Sequence, residues 1–232
     1  MAEQEENQQP KIIGVVRETY IRETVVGPTS TERTLPVSSE RVLTEAPQES
    51  LTSKIWGLGV RQVVYMALGA ALYGGLSYLT NILQLPATSN VSFRPGIVIP
   101  LFFGAVFGPW VGLFTGGVGN FLGDYISGYG VYWNWDVGNG LIGLIAGLAL
   151  YFTWGRYYKV ANIVTAEIFG IVAVLVGIGF AAYSDIWVSK YNFAAASGNF
   201  VPAALSDLVN GIILLPILLV AYNAATRRMG RG

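Results

Sequence analysis

Along the 232 residues, apolar positions change from scattered to continuous near residue 55. Beyond that point they form six blocks, at about 55–83, 97–107, 111–126, 137–154, 161–183 and 202–222. A helix crossing a bilayer needs about 20 apolar residues, or about 17 at the short end. The pattern predicts an all-α membrane protein, a six-transmembrane-helix bundle over residues 53–228. The second and third blocks are short. Gly108-Pro109 is a strong breaker between them, which favours two short helices over one re-entrant hairpin. Residues 1–52 are rich in Glu, Gln, Thr, Ser and Pro. Their mildly apolar patches, at residues 12–16 and Val25-Val26, bury too little to offset chain entropy. They are expected to form a disordered cytoplasmic N-terminal tail, the alternative being a docking segment for a partner.

Basic residues at the block ends set the orientation. With the N-terminus inside, Lys54, Arg61, Arg156, Lys159, Arg227, Arg228 and Arg231 fall inside, and Arg94 and Lys190 outside. Seven against two predicts N- and C-termini in the cytoplasm, and an even number of spans agrees.

That orientation sorts the polar residues by depth. The first helix ends outward near Tyr78 and Asn81, and the third near Asn120 and Asp124, one turn apart. The fourth starts outward at Asn139 and the sixth at Asp207 and Asn210, again one turn apart. Loops at the same face add Arg94, Trp133, Trp135, Asp136 and Asp185. The inner half is nearly all apolar apart from Glu167. Intramembrane carboxylates are costly and mark function by default. Singly, these residues also fit helix caps or interfacial hydrogen bonds, and Tyr132, Trp133 and Trp135 also fit an interfacial aromatic belt. Together they predict a small-molecule site in the outer half, with apolar walls and a few placed polar groups. Its candidate residues are Asn120, Asp124, Trp133, Trp135, Asn139, Asp207 and Asn210.

Composition narrows the chemistry. Charged residues make up 12% of the chain, about half the usual 25%. Residues 1–55 hold six of the fourteen basic and nine of the fourteen acidic residues, and residues 56–226 only ten charges in all. There is no Cys and no His. That excludes disulfides, thiolate or imidazole metal sites, Cys nucleophiles and the Ser-His-Asp arrangement. No metal or cofactor is expected, nor any nucleic-acid partner. No phosphate-binding Gly-x-x-x-x-Gly-Lys run occurs, so any ATPase would be a separate chain. The start, MAEQEENQQP, has no charged-then-apolar leader, so no cleavable signal is expected. Ala67 and Ala71, Ala70 and Gly74, and Ala71 and Gly75 put small residues one turn apart, where another helix can approach. Asn139, Gly143 and Gly147 repeat the spacing and are read as packing within the bundle.

The six-helix size, the run IPLFFGAVFGPWVGLFTGGVGNFLGD at residues 99–124 and the Ala67-xxx-Ala71 pair resemble the substrate-binding S components of energy-coupling-factor (ECF) vitamin transporters. The resemblance covers about residues 53–228 and leaves out the tail. It implies a multi-pass protein of a prokaryotic cytoplasmic membrane, capturing a vitamin-like ligand from outside. Its implied partners are a membrane-embedded coupling protein, docked through Ala67 and Ala71, and two ATPase subunits. The loop at 85–95 would close the pocket. No vitamin signature carries over. Four outer acids against two outer basic residues argue for a neutral or cationic heterocycle. Two other readings stay open: an intramembrane enzyme using Asp124 and Asp207, which lacks the usual nucleophiles and bases, and a stand-alone carrier or channel, which lacks an internal repeat.

Overall fold

The computed structural model describes residues 12–16, 41–44, 55–84 and 92–229. The chain separates into two units, 1–50 and 51–232. In the first, strands β1 (Ile12–Val16) and β2 (Arg41–Thr44) pair antiparallel, with Val15 opposite Val42 and an irregularity between Ile12 and Gly14. The apolar patch at 12–16 is thus a strand. Residues 41–44 of the expected disordered tail are likewise a strand, and the rest of that tail lies outside the described residues. So does most of the expected closing loop, at 85–91.

The second unit is a bundle of six helices among the described residues: α1 (Val60–Thr80), α2 (Val98–Phe107), α3 (Pro109–Ile126), α4 (Trp133–Thr153), α5 (Val160–Val188) and α6 (Phe193–Met229). Helix α4 is interrupted after Gly147 and resumes at Leu150. Four helices, α1, α4, α5 and α6, are long and apolar enough to cross a membrane. Helix α2, with its leading turn Pro95–Ile97, has thirteen residues (ten plus three). At 1.5 Å per residue it rises about 20 Å, short of a 30 Å hydrocarbon layer.

The break between α2 and α3 is sharper than a turn. Gly108 alone, at φ 115°, separates them, and Pro109 and Trp110 already belong to α3. Proline suits a first helical position because its missing N–H would be unpaired there anyway. Other boundaries differ from the hydrophobic pattern. Trp133, Trp135 and Asp136, expected in a loop, lie in the first turn of α4, and Asp185 lies in the last turn of α5. Those turns are polar because they face other polar groups, so an apolar pattern stops short of the true helix ends.

The core sits where α2, α4, α5 and α6 meet, around Leu101, Ile142, Val174, Ile178 and Leu215. Helices α3 and α4 touch backbone to backbone. A Cβ on Gly143 would meet the carbonyl carbon, Cα and oxygen of Gly112, and one on Gly147 would lie 2.5 Å from Pro109 Cα. The small residues of α1 divide by face. Ala70 and Gly74 are buried, and a Cβ on Gly74 would lie 2.9 Å from Leu122 Cβ. Ala67, Ala71 and Gly75 are exposed beside Val63, Val64, Leu68 and Leu72.

Candidate functional site

Five of the six helices bring polar side chains to one end of the bundle. They surround a cavity of about 100 Å³. The end of α1 supplies Ser77 and Asn81, and the segment before α2 supplies Ser92 and Arg94. Helix α3 contributes Asn120 and Asp124, followed by Tyr129 and Tyr132. Trp135 comes from α4, Asp185 from α5, and Ser189, Tyr191 and Asn199 complete the wall.

The centre of the site is Arg94. Its Nη2 donates to Tyr73 Oη at 2.6 Å and to Asn139 Oδ1, and its Nε lies 3.8 Å from Asp207 Oδ1. Its backbone N–H donates to Ser206 Oγ at 3.2 Å. Tyr73 Oη also donates to Asn139 Oδ1 at 2.7 Å, and Asn139 Nδ2 donates to the Trp135 carbonyl at 2.8 Å. One guanidinium thereby ties α1, α4 and α6 together. Asp207 is fully buried, and neither of its carboxylate oxygens accepts a hydrogen bond from the described residues. Among the described residues its charge is matched by Arg94, and charges in such an interior persist only when paired.

Two further networks build the walls. Asn120 Nδ2 donates to Asp124 Oδ2 at 3.0 Å and to Asp136 Oδ1 at 2.9 Å, holding two carboxylates beside one amide. Asp185 accepts from Asn134 Nδ2 at 2.9 Å, Ser189 Oγ at 2.9 Å and, through its other oxygen, Trp135 Nε1 at 3.0 Å. Trp135, a lining residue of the cavity, is thus fixed by its indole N–H. At the cavity rim Tyr129 Oη donates to the Asn81 carbonyl at 2.7 Å, and Asn81 Nδ2 donates to Ser127 Oγ at 2.8 Å.

The residues singled out from sequence divide into three groups. Asn120, Asp124 and Trp135 line the cavity. Asn139 and Asp207 sit behind Arg94 and hold it. Asn210 is buried but donates to the Ser206 carbonyl of its own helix, and Trp133 is exposed at the start of α4. Asp124 and Asp207 do not share a cavity: Asp207 lines a separate one of about 10 Å³ with Glu167. That separation weakens a two-carboxylate enzyme. The sequence reading placed Arg94 and Asp185 at this face without naming them among the candidate residues, and it did not single out Tyr73, Asn134 or Tyr129. For Arg94 a signal existed, since it is one of only ten charges across residues 56–226.

The polar-lined cavity thus lies at one end of a helical bundle, four of whose helices are long and apolar enough to cross a membrane. Residues 57–224 match the family model described as ECF-type riboflavin transporter, S component, and the chain belongs to that family. A UPF0397 protein of Vibrio atlanticus (strain LGP32) is 30% identical over 131 residues, covering 54% of this chain and 70% of the relative. A solved structure titled "Structure and mechanism of the S component of a bacterial ECF transporter" is 17% identical, with a TM-score of 0.46, covering 74% of this chain and 96% of the other. The family is one of transporter subunits rather than an enzyme class, and the chain is a multi-pass membrane protein of that family.

Proposed function

We propose that this chain is the substrate-capturing subunit of an ECF-type importer, taking a vitamin or related small heterocycle into the Arg94–Asp124–Trp135 cavity from the outer side of a cytoplasmic membrane. The observation that carries this reading is the convergence of five helices on one polar, aromatic-walled cavity, while the packed core beside it is mostly apolar. Trp135, Tyr129 and Tyr132 offer ring faces for a planar ligand. Asn120 and Asp124 offer an amide and a carboxylate for its polar edge. Asn139 and Asp207 act behind them, through Arg94. Asn210 and Trp133 belong to the outer half without lining the cavity. The family description names riboflavin, a neutral planar heterocycle that suits these walls.

In this reading all six helices cross, with α2 as a short span and both termini cytoplasmic. The exposed Ala67–Ala71–Gly75 stripe of α1 receives a membrane-embedded coupling protein, which connects to two ATPase subunits. Small residues there let a partner helix approach closely. The test is thermal stabilisation of the purified protein in detergent by a vitamin panel that includes riboflavin. A ligand at a hundred times its dissociation constant adds about 2.7 kcal/mol to the native state. A clear shift with the ligand recovered unchanged supports capture. A ligand recovered chemically altered overturns it in favour of an enzyme.

A further inference from the structure

The donor inventory of Arg94 is incomplete in an informative way. A guanidinium carries five N–H groups. Both Nη2 hydrogens are used, on Tyr73 and Asn139, and Nε–H faces Asp207. The two Nη1 hydrogens have no partner among the described residues. The side chain is only 12% exposed, and the cavity is the space it lines. The fork is also held in place, because Nη2 is hydrogen-bonded to α1 and α4 and Nε is ion-paired with α6. Rigidly held donors bind at lower entropic cost than donors that must first be ordered.

Charge decides what such a donor pair can receive. Asp207, 3.8 Å from Nε, already balances the guanidinium. Asp124 and Asp185 line the same cavity. A carboxylate or phosphate entering there would meet two further negative groups, whereas a neutral acceptor would meet an idle charged donor. We infer that Arg94 is a specificity-determining residue that donates through Nη1 to a neutral carbonyl-type acceptor on the ligand ring. This rests on the capture reading and adds to it the polarity of one ligand edge: an acceptor toward α2, with donors toward Asp124 on α3.

The test uses two three-ring probes of similar shape. Riboflavin carries ring carbonyls and phenazine has none. Both are titrated against the full-length protein in detergent, as wild type and as Arg94→Lys, with ligand-free melting recorded for each. Lysine keeps a positive charge beside Asp207 and lacks the second arm of the fork. Loss of one hydrogen bond from a charged donor weakens binding roughly ten- to a hundredfold. Riboflavin affinity falls by that factor in Arg94→Lys, while phenazine, weaker for wild type, changes by less than about twofold. Equal losses for both probes mean that Arg94 only shapes the cavity, and overturn the inference. Undiminished riboflavin binding in Arg94→Lys overturns it as well. Either result leaves the capture reading standing. If the protein instead takes a carbonyl-free cationic ring such as thiamine, with neither probe bound, the inference fails and capture survives. Failure of every ring in the panel removes both.

Discussion

Removing the charge of Asp207 should cost more stability than removing the charges of Asp207 and Arg94 together. Asp207 is fully buried, its carboxylate oxygens accept no hydrogen bond from the described residues, and among those residues its ion-pair partner is Arg94 at 3.8 Å. Asp207→Asn preserves shape and leaves a buried guanidinium with neutral partners. Removing one partner of a buried pair typically costs about 3–5 kcal/mol, most of it the penalty on the stranded charge. Arg94 keeps its bonds to Tyr73 and Asn139, so the lower end, about 3 kcal/mol, is expected. Arg94→Gln should cost a similar amount by stranding Asp207, which has no other partner among the described residues. In the double variant no charge is stranded, and the loss should be well below the sum of the singles. At roughly 2–4 °C per kcal/mol for a chain of this size, each single variant should melt about 6–12 °C lower without ligand. The double variant should fall between wild type and the singles. Unlinked sites add to within about 0.5 kcal/mol. Additive losses would therefore show that the pair does not act as a unit and that Arg94 is held by Tyr73 and Asn139 alone.

Other perturbations probe other parts of the structure. Gly143→Ala drives a methyl into the Gly112 backbone. Overpacking of this kind costs about 1–3 kcal/mol, read as a lower melting temperature, and Gly75→Ala, with open space at its Cβ, should leave melting unchanged. Asp124→Asn should weaken ligand binding about tenfold with little change in ligand-free melting, because Asp124 is a half-buried cavity wall, and one charge-assisted hydrogen bond is at stake. Ala67→Leu with Ala71→Leu should reduce co-purification of the coupling protein while leaving ligand affinity intact, since both positions are exposed and away from the cavity wall. Equal loss of ligand binding would show that the stripe supports the cavity instead.

Helix number and the polar end of the bundle were legible because both follow from one-dimensional rules. Apolar blocks mark helices, and polar residues concentrated at one depth mark a site. Those rules fail where a helix end is itself polar. Trp135, Asp136 and Asp185 looked like loop residues because they bond to other polar side chains, Trp135 to Asp185 and Asp136 to Asn120. A second failure concerns pairing. Asp124 and Asp207 look equivalent in sequence, each one turn from an asparagine. The structure makes Asp124 a cavity wall and Asp207 a counter-charge behind it, and only the position of Arg94 separates the two roles. Pairing across 113 positions (207 minus 94) leaves no periodic trace, so residue counting at the outer face registered four acids and two bases without showing which charge was already spent. The polarity of the site follows from that pairing. With Arg94 balanced by Asp207, the carboxylates left at the cavity wall are Asp124 and Asp185. Asp185 already accepts three hydrogen bonds from protein donors, so Asp124 is the acid with more capacity for a ligand donor, while Nη1 of Arg94 has no acceptor among the described residues. A ring that offers both fits this wall better than one whose polar groups are all of one kind.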